Sequence, residues 1–157
     1  MAPSSDVPDL SPITVVVPMP PPRANYRGTS RVASFAKVKY IKVLEGMMAR
    51  GELVPPDRPF EFAHLDFTFR VKARGDNDGR LSQMKPLIDF LFKNSSGRSW
   101  IVADDPDHLD WPTGRQIIDP RCVPTVTVVI RPLAEKPFLE RVTYPRSKAK
   151  PRKPRAA

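Results

Sequence analysis

Cysteine is nearly absent from this 157-residue chain: Cys122 stands alone, which excludes an intramolecular disulfide framework and a cysteine-based zinc cluster. Only two histidines occur, His64 and His108, and their separation of 44 positions argues against a histidine-rich metal site. Apolar runs are short. Val15-Val16-Val17 falls far below the about 20 residues that a membrane-spanning helix needs, so no membrane association is expected. Positions 1–10 lack a basic stretch followed by an apolar block, so no secretory signal is visible and the expected compartment is the cytoplasm. Apolar residues at 40% and charged residues at 27% are ordinary for a globular protein, and the length fits one domain with a real core.

Proline is abundant instead, 20 of 157 residues, more than double the usual share of about 5%. Basic charge is also in excess, at +9 overall. Up to Ile130 there are 17 basic and 15 acidic residues, whereas from Arg131 onward there are nine basic and two acidic ones. The body is therefore nearly neutral, and a Lys/Arg-Pro tail carries the polyanion-seeking charge.

Residues 13–17 are β-branched and read as a short buried strand, which the prolines from Pro18 to Pro22 must end. Helical spacing over 32–50 puts Val38, Ile41, Leu44 and Met48 on one face, with Gly51 as its stop. Alternation over 60–71, with a slip at Ala63-His64, predicts a long half-buried strand. Pro86 is expected in the first turn of a second helix, which therefore starts close to Gln83 and runs to about Asn94. Residues 100–102, 109–118 and 123–131 read as three further strands. The order β-α-β-α-β-β-β predicts a single compact α+β domain over 12–133. A disordered lead-in over 1–11 and a basic, proline-rich disordered tail over 134–157 flank it.

Two acidic clusters carry the chemistry. Asp76-Asn77-Asp78 follows the long strand, and Asp104-Asp105-Pro106-Asp107 follows the Trp100 stretch, so both are expected at one sheet edge. Carboxylate oxygens are the ligands magnesium prefers, with water and substrate phosphate completing its shell. Such a site can generate a hydroxide and stabilise charge during phosphodiester cleavage. Loop aspartates also serve as Asx-turns or helix caps, and Lys85 and Asp89, four apart, are also readable as a plain surface ion pair. Trp111 and Tyr26 have the chemistry to stack on bases, although core packing is the commoner role for such residues.

The string Arg74-Gly75-Asp76-Asn77-Asp78, then Lys85-Pro86-Leu87-Ile88-Asp89-Phe90-Leu91, then Val102-Ala103-Asp104-Asp105 resembles the RusA-like endodeoxyribonucleases, Holliday junction resolvases common in bacteriophages and prophages. The first strand with its prolines and Asn25 is similar to the start of that family, and the likeness covers roughly 13–131. Two features depart from the pattern: Gly79 stands where an Asn often follows the second Asp, and Asp78 lies seven positions before Lys85, longer than in the shortest members. The resemblance implies a RusA-like domain that acts as a homodimer on four-way junctions or other branched DNA, in recombination, repair or phage DNA processing. It implies catalytic Asp76, Asp78, Asp105 and Lys85, with Mg2+ (or Mn2+ as a substitute) held by Asp76, Asp78, Asp104 and Asp105. Arg23, Arg27, Arg74 and Arg80 are the candidate phosphate contacts. The competing expectation is a non-catalytic DNA-binding phage protein whose acidic loops are structural.

Overall fold

The strict alternation of Ala63, Leu65, Phe67, Phe69 and Val71 organises the fold, because every one of these side chains is buried on a single face of one strand. The computed structural model describes residues 10–18 and 30–138, with positions 30–34 and 78 described by backbone alone. The lead-in before Leu10, Arg23, Tyr26 and Arg27, and the tail beyond Phe138, lie outside the described residues.

The elements are β1 (Ile13–Val17), α1 (Ser30–Ala49), β2 (Ala63–Val71), α2 (Asn77–Phe92), β3 (Thr113–Ile118) and β4 (Thr125–Pro132). They form a single α+β domain with one mixed sheet in the order β1-β4-β2-β3. β4 runs antiparallel to both neighbours, pairing Ile13 with Ile130 on one side and Leu65 with Ile130 on the other. β3 lies parallel to β2, pairing Asp66 with Thr113, with α2 in the crossover between them.

The core is the helix-facing side of this sheet. Val15, Val17, Leu65, Phe67, Phe69, Val126, Val128 and Ile130 meet Tyr40, Leu44 and Met47 of α1 and Met84, Leu87, Phe90 and Leu91 of α2. Trp100 and Ile101 close it from the loop after α2. Full burial of each Phe or Leu is worth about 1.5–3 kcal/mol, so the periodicity of β2 outweighs any local preference nearby. Among the described residues no helix is long and apolar enough to cross a membrane.

Several sequence expectations shift. The buried stripe of α1 is Tyr40, Leu44 and Met47, whereas Val38 is exposed and Ile41 and Met48 pack only partly. Its end is as expected: Gly51 takes φ +72°, with Gly51 N–H bonding to Met48 O and Glu52 N–H to Met47 O, the paired bonds of a Schellman stop. α2 starts at Asn77, six residues before the expected Gln83, and Pro86 sits inside it. Pro86 gives up one helical hydrogen bond there, and burial of Met84, Leu87, Phe90 and Leu91 around it offsets that loss. The slip at Ala63-His64 marks where β2 begins, since Phe60 forms only an isolated bridge to Ile101. That bridge is all that remains of the expected strand over 100–102, which leaves six elements among the described residues instead of seven. Likewise Leu109 makes a single bridge to Ala63, and β3 starts only after Pro112.

Candidate functional site

α2 begins with an aspartate doing structural work. Asp76 has extended backbone (φ −66°, ψ 154°), and its Oδ1 accepts a hydrogen bond from Gly79 N–H, capping the helix. The preceding turn is braced by Gln116 of β3, whose Nε2 donates to Gly75 O at 2.8 Å while its Oε1 accepts from Gly75 N–H at 3.0 Å. Arg80 completes the brace. Only 9% exposed, it donates to Gln116 Oε1 (3.1 Å), Gln83 Oε1 (2.8 Å) and Ala73 O (3.4 Å), and lies over the Phe69 ring. Arg80 is thus a support for the Asp76 turn and does not present the exposed cation expected of a phosphate contact. Arg74, by contrast, is exposed beside it.

Two turns further along α2, Lys85 reaches a different set of partners. Its ammonium lies 2.6 Å from Asp104 Oδ2 and 2.7 Å from Asp89 Oδ1, and Lys37 of α1 bonds the other Asp89 oxygen at 3.1 Å. The hydrogen bonds that Lys85 donates to Asp104 and then to Asp89 hold its pKa above the ordinary value. Burial pushes Asp89 up, but Lys85 and Lys37 together leave its pKa below the usual carboxylate value. The chain Lys37–Asp89–Lys85–Asp104 thereby ties both helices to the acidic loop.

Asp105 closes that loop. Its Oδ1 accepts from Asp107 N–H at 2.9 Å and pairs with His108 Nδ1 at 2.6 Å, and its carbonyl accepts from His108 and Leu109 N–H. The His108 contact holds the Asp105 pKa below the ordinary value. His108 belongs to this turn, not to a strand, and its ring stacks on Phe62 at 6.0 Å.

The two acidic clusters are not at one sheet edge. Asp119 N–H bonds Val71 O at the end of β2 that leads to Asp76, whereas His108 O and Asp110 N–H bond Ala63 at the opposite end. Nine positions of α2 separate Asp76 from Lys85, about 13 Å at 1.5 Å per residue. Asp104 and Asp105 are adjacent hard oxygen donors of the kind magnesium takes with water and phosphate. Among the described residues, no group of three or more His, Cys, Asp or Glu side chains is arranged to hold a metal.

A polar cluster that the sequence reading missed lies on the outward face of the sheet. His64 Nδ1 meets Asp110 Oδ2 at 3.0 Å, and its Nε2 meets Asp66 Oδ1 at 3.2 Å. Arg131 Nε donates to Asp66 Oδ2 at 2.6 Å, and the Thr113 hydroxyl donates to Asp66 Oδ1. Arg131 first, then Thr113, bring the Asp66 pKa down to about 2. The signal available in sequence was His64 and Asp66 two apart in a strand, hence on one face. No protein-family model matches the chain, and no curated protein matches it either.

Proposed function

We propose that this chain is a magnesium-dependent, structure-selective endonuclease of the RusA-like resolvase type, acting as a homodimer on branched DNA in the cytoplasm. The observation that carries the reading is the 2.6 Å contact between Lys85 and Asp104. These residues belong to two motif blocks 19 positions apart, and the fold joins them beside Asp105. Asp104 and Asp105 would hold the cation; Asp76 and Asp78, which the resemblance implies as further ligands, stand at the opposite end of β2 and do not share that position. A divalent cation held by Asp104 and Asp105 would supply a hydroxide near neutral pH and would neutralise charge on the phosphoryl oxygens. Lys85 sits where an ammonium can stabilise negative charge developing on a phosphate held against that pair. Arg74, exposed near the start of α2, would engage a more distant phosphate of the same DNA.

The second reading, a non-catalytic DNA-binding protein, is favoured by one observation: Asp76 and Asp105 each use a carboxylate oxygen to brace local backbone. A single experiment separates the two. Purified protein is incubated with an end-labelled four-way junction, a flap and a linear duplex, in Mg2+, Mn2+ or EDTA. The nuclease reading expects metal-dependent nicks on the branched substrates only. Junction binding without cleavage in either metal supports the second reading.

A further inference from the structure

A cleft of about 360 Å³ lies between α2 and the loop that carries Asp104 and Asp105. Trp111 and Phe138 line it while 80% and 90% exposed, whereas the other tryptophan, Trp100, is fully buried in the core. The packing role expected of Trp111 is therefore overturned. An indole left in water forfeits the large burial energy such a side chain normally supplies. Its backbone is nevertheless fixed: Trp111 N–H donates to Asp110 Oδ1 at 2.8 Å, and Asp110 Oδ2 meets His64 Nδ1 at 3.0 Å. Pro106, Pro112 and Pro137 extend the apolar walls.

The cleft is also acidic. Among the described residues, Asp104, Asp105 and Asp110 line it against one lysine, Lys85, whose ammonium is shared between Asp104 and Asp89. Lys136, beside Pro137, is bonded to Asp107 at 3.0 Å. Exposed aromatic rings and prolines with carboxylates among them suit a polyproline II segment that carries cations. Such a segment packs proline rings against aromatic faces, and it loses little entropy on binding because its conformation is largely preformed.

The chain itself supplies one. Lys148, Pro151 and Pro154 recur every three residues, the polyproline II repeat, so in that form they would share one face, with Lys150, Arg152, Lys153 and Arg155 on the other two. The connection is short. Phe138, the last described residue, lines the cleft, and β4 ends at the same end of the sheet: Pro132 pairs with Ala63, whose carbonyl accepts from Asp110 N–H. The nine residues 139–147 can span about 30 Å, enough to turn back onto the cleft. The other proline run starts at Pro18, at the opposite end of the sheet, where Val17 pairs with Val126 and Val126 with Phe69. We propose that residues 148–155 dock in this cleft of the same chain, with Pro151 and Pro154 against Trp111 and Phe138, and basic side chains at Asp105 and Asp110. The docking goes beyond the nuclease reading and does not rest on it. In a nuclease, the docked tail would cover Asp104 and Asp105 until DNA phosphates competed for its charge.

The test is acrylamide quenching of tryptophan emission in the full chain, in EDTA and without DNA. Trp100 is fully buried, so quenching reports Trp111. A short link holds the tail at an effective concentration of about 1 mM, so a Kd of about 0.1 mM already fills the cleft about nine-tenths of the time. The full-length variant Lys148→Ala/Pro151→Ala/Pro154→Ala should therefore raise the quenching constant at least about twofold. In about 1 M NaCl, where the Debye length is about 3 Å, the parent should move towards that variant. Trp111→Phe should be quenched weakly, and equally with either tail. Equal quenching of the parent and the tail variant overturns the proposal, as does a tail effect that persists in Trp111→Phe. Protection that grows with protein concentration would put a second copy's tail in the cleft and overturns docking within one chain. Protection that survives the tail variant but is lost in Pro18→Ala/Pro21→Ala would make the first proline run the occupant, and overturns the assignment to the tail.

Discussion

Lys85 and Asp104, 19 positions apart, stand 2.6 Å apart across the gap between α2 and the acidic loop, and Asp89 shares the same ammonium at 2.7 Å. The Lys85 side chain is 61% exposed, so solvent screens both pairs and each is worth about 0.5 kcal/mol or less.

That small structural value makes Lys85 an informative probe. Lys85→Met keeps the aliphatic stem and removes the charge. Its unfolding free energy in urea should fall by no more than about 1 kcal/mol. Under the proposed chemistry, single-turnover cleavage of a junction should fall by about a hundredfold or more, because the lost ammonium faces the developing phosphate charge. Cleavage at the parental rate would reduce Lys85 to a surface tie.

Asp66 predicts a pH signature. Its folded pKa lies near 2, below the ordinary 3.8, so its stabilising contribution is complete above about pH 4 and is lost as the pH falls towards 2. The side chain is 31% exposed, and after allowance for solvent screening the contribution is about 1 kcal/mol. Asp66→Asn should therefore be less stable than the parent by about that amount at pH 7, and the gap should close near pH 2. Urea melts at pH 7, 4, 3 and 2 measure it. Asp89, Asp105 and Asp119 also have lowered pKa values, but they titrate in both proteins, so the difference isolates Asp66. A constant gap across the series would contradict the assignment.

What the sequence made legible was whatever follows from period and stereochemistry. The five inward residues of β2 and the Gly51 stop are local patterns with a single physical solution. Pro86 misled because local propensity was weighed without the core that overrides it, and moving the helix start to Asn77 turned Asp76 into a cap. The separation of the two acidic clusters was not legible at all. It depends on Leu109 bridging Ala63 at the start of β2, a pairing between residues 46 positions apart with no local signature. Trp111 was unreadable for a related reason: burial of a tryptophan is a property of the surroundings, and Trp100 and Trp111 took opposite fates.

Trp100 allows a packing test. It is fully buried against Phe90 at 5.7 Å, yet its indole Nε1 is buried without a hydrogen-bond partner among the described residues. Trp100→Phe loses some packed volume but removes an unsatisfied donor, so the two effects oppose each other. The variant should lie within about 1.5 kcal/mol of the parent in urea, whereas Trp100→Ala should lose about 3–5 kcal/mol. A loss as large for Phe as for Ala would show that the N–H is bonded in solution.

Asp76 and Asp105 allow structural and chemical roles to be separated at the same atoms. At a helix cap Asn replaces Asp with little loss, because its side-chain oxygen still accepts the Gly79 N–H, whereas Ala forfeits the bond and costs about 1 kcal/mol. Asp105→Asn likewise retains an acceptor for Asp107 N–H. Both Asn variants should therefore melt close to the parent, and Asp76→Ala should melt lower. Cleavage follows a different rule. A cation held by carboxylates depends on their negative charge, so Asp105→Asn should lose most magnesium-dependent cleavage while folding normally, and Asp76→Asn, remote from the Asp104-Asp105 pair, should lose less. Junction affinity in EDTA should hold or rise, since removing an anion near the phosphates relieves repulsion. Thermal melts, junction binding and cleavage on the same three variants give the full pattern. Full cleavage by Asp105→Asn would leave its carboxylate as a backbone brace and remove the physical basis for metal-dependent hydrolysis at this loop.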